Sequence, residues 1–332
     1  MKVYAGIDQF TPPSAGITLT IGNFDGVHLG HQRILKRARE VAGSLGTPVV
    51  VLTFEPHPLA VLTPQRAPAR LTTLPEKLHL LRASGVDVCI VQRSEPALLS
   101  QSAAEFLREL VHSCRPRALI EGPDFNFGRG RGGSTQTLRD FAARLEFAVH
   151  VIDIARCEEL PGRPSMHSAA IREALRAGRV DVAQAMLGRP YRIVGRVTGG
   201  AGRGRRLGFP TANLGEIPHQ LPQPGIYAAV AQLENQEMRL AATNLGPQPT
   251  FGEGTPRVEA HLLDWNGVLA DQMLGLHFLA RLRDQQRFKD AQELAAQIRR
   301  DVEATRRYEP LVAQLREFPA VPVKHEPGTG WD

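Results

Sequence analysis

Five short apolar runs alternate with helical patterns in the first half of the chain, and this alternation constrains the fold more than any other feature. The runs have the length of buried strands: Ile17–Ile21, Val49–Phe54, Val86–Val91, Ala118–Ile120 and Phe147–Ile154. Apolar residues at helical spacing lie between them, over His31–Leu45, Leu74–Ala83, Ala103–Val111 and Thr135–Leu145. Because buried strands that alternate with helices form βαβ units, the sequence predicts an α/β, Rossmann-like, doubly wound parallel sheet.

The pattern changes near Gly188. Two predicted helices, Ser168–Ala177 and Val182–Leu187, precede it, and each is followed by a glycine. Short β-rich runs come after it: Tyr191–Val197, Ile226–Leu233, Arg239–Asn244, Arg257–Leu263 and Leu276–Leu282. They predict a small antiparallel β-barrel, followed by an amphipathic helix from Ala291 to about Leu315. We therefore expect one domain over residues 1–187, a second over 188–317 and a flexible tail over 318–332.

Composition narrows the possible functions. The chain has 332 residues, 42% of them hydrophobic and 22% charged, as in globular proteins, and no apolar run reaches transmembrane length. Cys89, Cys114 and Cys157 show no metal-ligand spacing, which favours a reducing cytoplasm over a disulfide framework. The net charge of +6 suits either nucleic acid or phosphorylated small molecules. Since the arginines are scattered among few aromatic residues, we expect small-molecule substrates, no nucleic acid and no membrane partner.

The segment after the first predicted strand carries the richest chemistry of the N-terminal half. This turn and the helix start contain Gly22, Asn23, Phe24, Asp25, His28, Gly30 and His31. Unpaired N–H groups and the helix dipole favour an anion at a helix N-terminus. Two imidazoles flanking a glycine can hold a nucleotide phosphate there, and no G-x-x-x-x-G-K-[ST] loop occurs in the chain to do so instead. The alternative is that both histidines are surface helix-cap residues.

Two further loops follow predicted strands and should open onto the same cleft. One contains His57, and the other contains Asp124, Phe125, Asn126 and Arg131. The second loop also matches G-x-G-x-x-G through Gly128, Gly130 and Gly133, but residues 124–127 separate these glycines from the strand. The match is therefore weak evidence for a dinucleotide-binding oxidoreductase, and we favour an arginine-bearing loop over phosphates.

A glycine-rich stretch near residue 200 is the second candidate phosphate site. It contains Gly199, Gly202, Arg206, Gly208, Pro210, Thr211 and Asn213. The glycines allow the backbone to wrap around phosphates. Thr211 and Asn213 share one side of an extended segment, where their oxygens can complete a Mg²⁺ shell shared with ATP. Taken alone, the Phe-Pro-Thr-Ala-Asn segment could also be a simple turn between strands.

In both halves these motifs resemble the bacterial bifunctional riboflavin kinase/FAD synthetase family. The resemblance rests on residues 22–31, 53–58 and 122–131 in the first half and on residues 204–214, 224–227, 244–251 and 258–264 in the second. It implies a nucleotidylyltransferase sheet that converts FMN and ATP to FAD and pyrophosphate. It also implies a Mg²⁺-dependent kinase barrel that converts riboflavin and ATP to FMN and ADP. Flavoproteins are then the expected recipients of the products.

The resemblance also implies roles for individual residues. His28 and His31 would stabilise charge at the reacting α-phosphate, and Glu259 would be the catalytic base of the kinase. The ATP of adenylyl transfer would bind Gly22, Asn23, Phe24, Asp25, Gly30, Ser168 and Arg172, and the flavin or its phosphate would bind His57, Asp124, Phe125, Asn126 and Arg131. The ATP of the kinase would bind Gly199, Gly202, Arg206, Gly208, Pro210, Thr211 and Asn213. Strand alternation separates Glu259 from Val258 and Ala260, but it leaves open which face meets the ligand.

One segment departs from the family pattern. Where the family has S-S-T-x-I-R, this chain has His167-Ser168-Ala169-Ala170-Ile171-Arg172. The lost threonine hydroxyl removes a hydrogen bond worth roughly 0.5–1.5 kcal/mol, which predicts adenylyl transfer slower by about tenfold. Two alternatives stay open at this point. One is a riboflavin kinase with an impaired N-terminal domain, and the other is a nucleotide- or RNA-binding regulatory protein.

Overall fold

Two compact units make up the chain. The computed structural model describes residues 1–153, 166–199, 204, 207–247, 256–315 and 323. By their contacts, Met1–Pro68 and Leu74–His167 form the first unit, and Ala69–Thr73 and Ser168–Asp332 form the second. This division groups residues 168–187 with the second unit, and the domain boundary expected near Gly188 stays a prediction.

The first unit is built on a six-stranded parallel sheet. Its strands are β1 (Lys2–Tyr4), β2 (Ile17–Ile21), β3 (Val49–Glu55), β4 (Val88–Arg93), β5 (Pro116–Glu121) and β8 (Ala148–Val151), and a separate hairpin is formed by β6 (Asn126–Phe127) and β7 (Gly133–Ser134). The strand order is β1-β4-β3-β2-β5-β8, and all neighbours are parallel. From β2 the chain runs to β3 and β4 on one side, and after β4 it crosses over to β5 on the other side of β2. The topological switch point, where ligands bind in such sheets, therefore lies between β2 and β5.

The helices of this unit follow the predicted alternation. They are α1 (Leu29–Leu45), α2 (Pro58–Leu62), α3 (Leu74–Ala83), α4 (Pro96–Leu99), α5 (Ala103–Cys114) and α6 (Thr135–Leu145). The five predicted strands and four predicted helices are confirmed, although Ile154, the last residue of one predicted strand, lies outside the described residues. The short elements β1, β6, β7, α2 and α4 were not predicted, because two to five residues carry no measurable periodicity. As expected, Cys89 is a fully buried residue of β4.

The second unit is a closed antiparallel barrel, as predicted. Two helices, α7 (Ser168–Arg176) and α8 (Val180–Leu187), precede the strands β9 (Tyr191–Thr198), β10 (Ala212–Gly215), β11 (Gly225–Gln232), β12 (Met238–Pro247), β13 (Pro256–Leu262) and β14 (Met273–Arg283). Their order around the barrel is β10-β13-β12-β11-β14-β9. The strand β10 was expected only as an extended segment.

The prediction of one long C-terminal helix was wrong. The structure has two helices, α9 (Ala291–Arg306) and α10 (Glu309–Leu315). Pro310 explains the break, because proline lacks the N–H of a helix interior but is tolerated in a first turn. Both helices pack on the barrel through a cluster that includes Leu240, Leu279, Val302 and Leu315. The predicted tail lies outside the described residues apart from Val323.

Candidate active sites

The loop after β2 is held from both sides at the switch point. The N–H of Gly22 donates to the carbonyl oxygen of Leu52 at 3.0 Å, and the hydroxyl of Thr53 donates to the carbonyl oxygen of Asn23 at 3.2 Å. Both partners belong to β3. On the other side, the N–H of Ile21 donates to Oε1 of Glu121 at 2.8 Å. The start of the loop is therefore tied to both neighbouring strands.

The backbone of this loop is strained. Phe24 and Val27 have φ values of 48° and 38°, and Gly26 has a φ of 83°. Positive φ is uncommon for residues other than glycine and is costly for a β-branched residue such as Val27, by roughly 1–3 kcal/mol. Burial of Phe24 and Val27 in the core holds the conformation. Strain retained in this way is typical of ligand-binding turns.

The two histidines lie together at the start of α1. His28 is the N-cap of the helix, and its Nδ1 accepts the N–H of His31 at 3.3 Å. The two rings stack with centroids 3.6 Å apart, and Phe24 packs against His31 with centroids 4.9 Å apart. His28 is a helix cap but not a surface residue, since only 3% of it is exposed. Because its Nδ1 accepts a hydrogen bond, the neutral ring carries its proton on Nε2 and can donate there.

The loop after β3 meets the loop after β2, as the sequence predicts. His57 is the N-cap of α2, and its Nδ1 accepts the N–H of Leu59 at 3.1 Å. Its Nε2 lies 3.2 Å from Nδ2 of Asn23. The structure therefore brings His57 and Asn23 together at the carboxyl edge of the sheet.

The loop after β5 starts from the same edge. Phe127 is buried, and Phe125 stacks on it with centroids 5.2 Å apart. The side-chain amide of Asn126 donates to the carbonyl oxygen of Asp124 at 2.6 Å. Asp124, Asn126 and Arg131 are exposed, and their contacts with a ligand stay predictions.

The glycines of the G-x-G-x-x-G match serve the packing of this loop. A Cβ on Gly128 would lie 2.6 Å from the backbone nitrogen of Ala103, and one on Gly133 would lie 2.7 Å from the ring of Phe127. Gly128 also has a φ of 72°. These glycines lie within the hairpin of β6 and β7, which separates β5 from α6, and not in a direct turn from strand to helix. They therefore add no support for a dinucleotide fingerprint.

Ser168 and Arg172 belong to the second unit, at the start and in the middle of α7. Arg172 is buried, and its Nε donates to the carbonyl oxygen of Ala69 at 2.6 Å. Both partners are part of the same unit. The role of Ser168 and Arg172 in binding ATP, and the cost of Ala169, stay predictions.

The barrel aligns a row of side chains, four of them polar, on five strands. In the strand register, Glu259 of β13 pairs with Asn213 of β10 on one side and with Asn244 of β12 on the other. Ile226 and Arg283 continue the row onto β11 and β14. All five residues line one cavity of about 350 Å³, which we call the glutamate cavity. Residues on five different strands thus converge on one site.

The register decides which face of β13 meets this cavity. Glu259 and His261 line it, whereas Val258 and Ala260 are fully buried on the opposite face. Nη1 of Arg257 lies 3.2 Å from Oε1 of Glu259, and the two side chains are 31% and 27% exposed. The carboxylate is therefore accessible from the cavity and held by a neighbouring cation.

A second cavity of about 680 Å³, the tryptophan cavity, lies beside Trp265. Gly199, Pro210 and Asp271 also line it. Thr211 and Asn213 line both cavities. The predicted metal ligands thus stand where the two cavities meet.

The residues present fit a Mg²⁺ ion. Oδ1 of Asn213 is buried and has no hydrogen-bond partner among the described residues. Such an atom is costly to bury, and a cation would satisfy it. Neutral oxygens of the Thr211 and Asn213 type suit Mg²⁺.

The glycine-rich segment before β10 is described in part. Gly208 has a φ of 85°, and the carbonyl oxygen of Pro210 lies 2.8 Å from Nδ1 of His261. Gly202 and Arg206 lie outside the described residues, so their predicted contacts with ATP stay predictions.

Several cavity residues were missed by the sequence analysis. Arg257, His261, Arg283, Gln285 and Asp301 line the glutamate cavity. Gln285 donates to Oδ1 of Asn244 at 2.7 Å across 41 residues of sequence. Only the alternation around Glu259 pointed to Arg257 and His261. Nothing in the sequence pattern pointed to the other three.

The chain is similar to known proteins over nearly its whole length. The FAD synthetase family model matches residues 11–161, and the riboflavin kinase family model matches residues 187–309. The bifunctional riboflavin kinase/FMN adenylyltransferase of Pseudomonas fluorescens is 40% identical over 308 residues, which is 92% of this chain and 97% of that protein. The Escherichia coli K12 protein of the same name is 36% identical over 304 residues, 91% of this chain and 96% of that one.

This chain belongs to the bifunctional riboflavin kinase/FMN adenylyltransferase family. It is an enzyme that carries both domains of the family, and nothing in the comparisons favours a kinase-only protein. A crystal structure titled as a macrolide-efflux protein from Streptococcus pneumoniae shares the fold, with a TM-score of 0.81 and 25% identity over 92% of this chain and 98% of that one. Within the described ranges, no helix has the length and apolar character needed to span a membrane.

Proposed function

We propose that the barrel unit phosphorylates riboflavin to FMN at the glutamate cavity and that the sheet unit adenylylates FMN to FAD beside His28 and His31. One observation carries the proposal. Glu259 lies in register beside Asn213, which lines two cavities and whose side-chain oxygen has no hydrogen-bond partner among the described residues. Transfer of a phosphoryl group between two substrates requires a base, a metal ligand and a binding cavity for each substrate.

In the kinase site, riboflavin would occupy the glutamate cavity and ATP the tryptophan cavity. The wall formed by Phe209, Ile226, Leu294 and Ile298 suits an apolar ring system. Glu259 would accept the proton of the ribityl 5′-hydroxyl as its oxygen attacks the γ-phosphorus of ATP. Arg257 would hold the carboxylate in place. Thr211 and Asn213 would hold Mg²⁺, which when bound neutralises phosphate charge.

In the sheet unit, a phosphate oxygen of FMN would attack the α-phosphorus of ATP. The bond from that phosphorus to the bridging oxygen breaks, and pyrophosphate leaves. Nε2–H of His28 and the ring of His31 would donate to the charge that develops on the α-phosphate. The amino end of α1 adds its dipole to the same charge.

The proposal includes a cytoplasmic location and flavoprotein recipients. Cys89 and Cys114 are free buried thiols rather than parts of a disulfide, as in proteins of a reducing compartment. FMN and FAD are cofactors, so proteins that bind flavin would consume both products.

A product assay tests the proposal. Purified protein is incubated with riboflavin, ATP and Mg²⁺, and the flavins are separated over time. We expect FMN first and FAD later. Glu259→Gln should lower the rate of FMN formation roughly 10²–10⁴-fold while supplied FMN is still converted to FAD. Glu237→Gln, which alters a carboxylate paired with Arg239 elsewhere on the barrel, is the matched control and should change neither rate.

The histidine variant tests the other site. His28→Asn keeps a good N-cap residue but removes the Nε2 donor, so α1 should persist while FAD formation falls. FMN formation from riboflavin should stay at the parental rate. His112→Asn, at an exposed position on α5, is the control. Parental FAD formation by His28→Asn, or parental FMN formation by Glu259→Gln, would refute the corresponding site.

A further inference from the structure

Glu121 is a buried carboxyl at the switch point to which neither reaction assigns a role. It is the last residue of β5 and is 2% exposed. The other buried residues of its strand are apolar, and the only other polar residue of the strand, Arg117, is exposed. A carboxyl in such a place is costly unless its oxygens are used. A buried hydrogen-bond donor beside the Glu121 carboxyl would offset this cost.

That donor is a backbone N–H of β2. The pairing of β2 with β5 runs from Ile17 to Leu19, where Leu19 faces Leu119. At a topological switch point, the connections that follow two adjacent strands run to opposite sides, so a crevice opens beyond the carboxyl ends of these strands. Backbone N–H groups at this crevice need acceptors other than the neighbouring strand. The N–H of Ile21 donates to Oε1 of Glu121 at 2.8 Å. The side chain thus bridges the gap where the backbone ladder stops.

The backbone of Glu121 is held as well, by the neighbouring strand β8. The carbonyl oxygen of Glu121 accepts the N–H of Ile152 at 2.8 Å, beyond the pairing of Glu121 with Val151 of β8. Burial raises the pKa of the Glu121 carboxyl well above its ordinary value, and the N–H of Ile21 lowers it by less. A neutral carboxyl can accept through one oxygen and still occupy an apolar interior. Glu121 is therefore hydrogen-bonded on both sides of β5, through its side chain to Ile21 and through its backbone to Ile152.

The bond to Ile21 sets the start of the strained loop. Gly22 follows directly, and the positive φ values of Phe24 and Val27 leave the loop little freedom before His28. A small shift of Ile21 would therefore be carried to the stacked histidines. Displacements of about 1 Å in a reacting group can cost roughly 10²-fold in rate.

We infer that Glu121 is a positioning residue for adenylyl transfer, which ties the end of β2 to β5 and so fixes the loop that presents His28 and His31. The inference rests on the proposed function of these histidines. It predicts that loss of the acceptor lowers kcat for FAD formation more than it changes KM for FMN or ATP.

Three variants of the full chain test this role. Glu121→Met keeps the volume without the acceptor, Glu121→Asp shortens the side chain by one methylene so that it falls short of Ile21, and Glu121→Gln keeps the acceptor. We expect the Met and Asp variants to lose roughly 10- to 100-fold in kcat for FAD formation from supplied FMN. The Gln variant should stay within about threefold of the parent, as the conservative replacement of an acceptor. FMN formation from riboflavin should be unchanged in all three.

A matched control separates positioning from stability alone. Thr18 and Thr47 share a buried hydrogen bond of 2.8 Å at the opposite end of β2. Thr18→Val removes that bond from the same strand without touching its carboxyl end. We expect it to lower Tm by as much as Glu121→Met while leaving kcat for FAD formation unchanged.

The outcomes are distinct. Parental kcat in both Glu121→Met and Glu121→Asp overturns the inference, and so does an equal loss of kcat in Thr18→Val. If Glu121→Met does not fold, kcat for FAD formation is compared between Glu121→Asp and Glu121→Gln. A lower kcat in the Asp variant supports the inference, and equal values overturn it. Parental FAD formation by His28→Asn would instead refute the proposed site itself, whatever the Glu121 variants do.

Discussion

Removal of the Asp301 carboxylate should loosen the barrel unit at the edge of the glutamate cavity. Asp301 on α9 accepts from Arg283 on β14 through two bonds, Nε to Oδ1 at 2.8 Å and Nη2 to Oδ2 at 2.6 Å. The side-chain amide of Gln297 adds a third bond at 2.9 Å. The side chain of Asp301 is 9% exposed and that of Arg283 is 21% exposed. The pair therefore joins the helix to the barrel in a setting with little water.

The magnitude follows from this burial. Asp301→Ala leaves the Arg283 guanidinium without its counter-charge, and breaking a buried pair in this way costs about 3–5 kcal/mol. For a unit of this size each 1 kcal/mol lowers Tm by roughly 2–4 °C. The expected decrease is therefore roughly 6–20 °C for the barrel transition. Because Arg283 and Asp301 both line the glutamate cavity, KM for riboflavin should rise as well.

Calorimetry of the full chain, with the FMN assay in parallel, measures both effects. Arg306 and Asp264 provide the control, since they form a similar forked pair at 2.7 and 2.8 Å but are 41% and 67% exposed. Water screens that pair, so Asp264→Asn, which removes the charge and suits the positive φ of 54° at this position, should leave Tm nearly unchanged. The double variant Arg283→Met/Asp301→Leu should recover much of the loss, because apolar residues can replace a buried ion pair. A Tm for Asp301→Ala within about 2 °C of the parent, well below the shift expected from the lost pair, would refute the reasoning.

Three other predictions concern the metal ligand, the buried carboxyl and the thiols. Asn213→Ala should raise the Mg²⁺ concentration for half-maximal FMN formation roughly tenfold, equivalent to about 1.4 kcal/mol, and an unchanged magnesium titration would argue against this ligand. Because the pKa of Glu121 is raised in the folded state, stability should fall as pH rises above the ordinary value of 4.5 and towards the folded-state pKa. Unfolding curves of Glu121→Gln across this range should lack that loss, and parallel curves for parent and variant would contradict it. Burial raises the pKa of the Cys89 and Cys114 thiols to about 12, so neither should be alkylated in the native protein at pH 8, whereas both should react after unfolding. Peptide mapping by mass spectrometry checks this, and rapid native alkylation of either would be incompatible with its burial.

The regular elements could be read from the sequence where periodicity was long and its ends were marked. The strand Ile17–Ile21 and the helix Thr135–Leu145 were predicted to the residue. The helix follows Ser134, whose hydroxyl accepts the N–H of Thr137 as an N-cap. The single helix predicted from Ala291 to about Leu315 was wrong, although Pro310 indicated a break. The apolar periodicity continues from α9 into α10 and favoured one helix.

The candidate sites were predictable only in part. The loops that carry His28, His57 and Asp124 were expected to open onto one cleft because each follows a parallel strand. The first two loops do meet, through Asn23 and His57. The face of β13 that carries Glu259 could not be known, since alternation separates two faces without naming the one that meets a ligand. Burial of Val258 and Ala260 decided it.

By itself, the sequence determined the two architectures and the local chemistry of each loop. Hydrophobic spacing and turn residues act over a few positions, so they can be recognised without a fold. The tertiary structure alone decided the row of Asn213, Glu259 and Asn244 and the bond from Glu121 to Ile21. These partners are brought together by strand register and sheet order across 15 to 100 residues of chain, and no local pattern records that register.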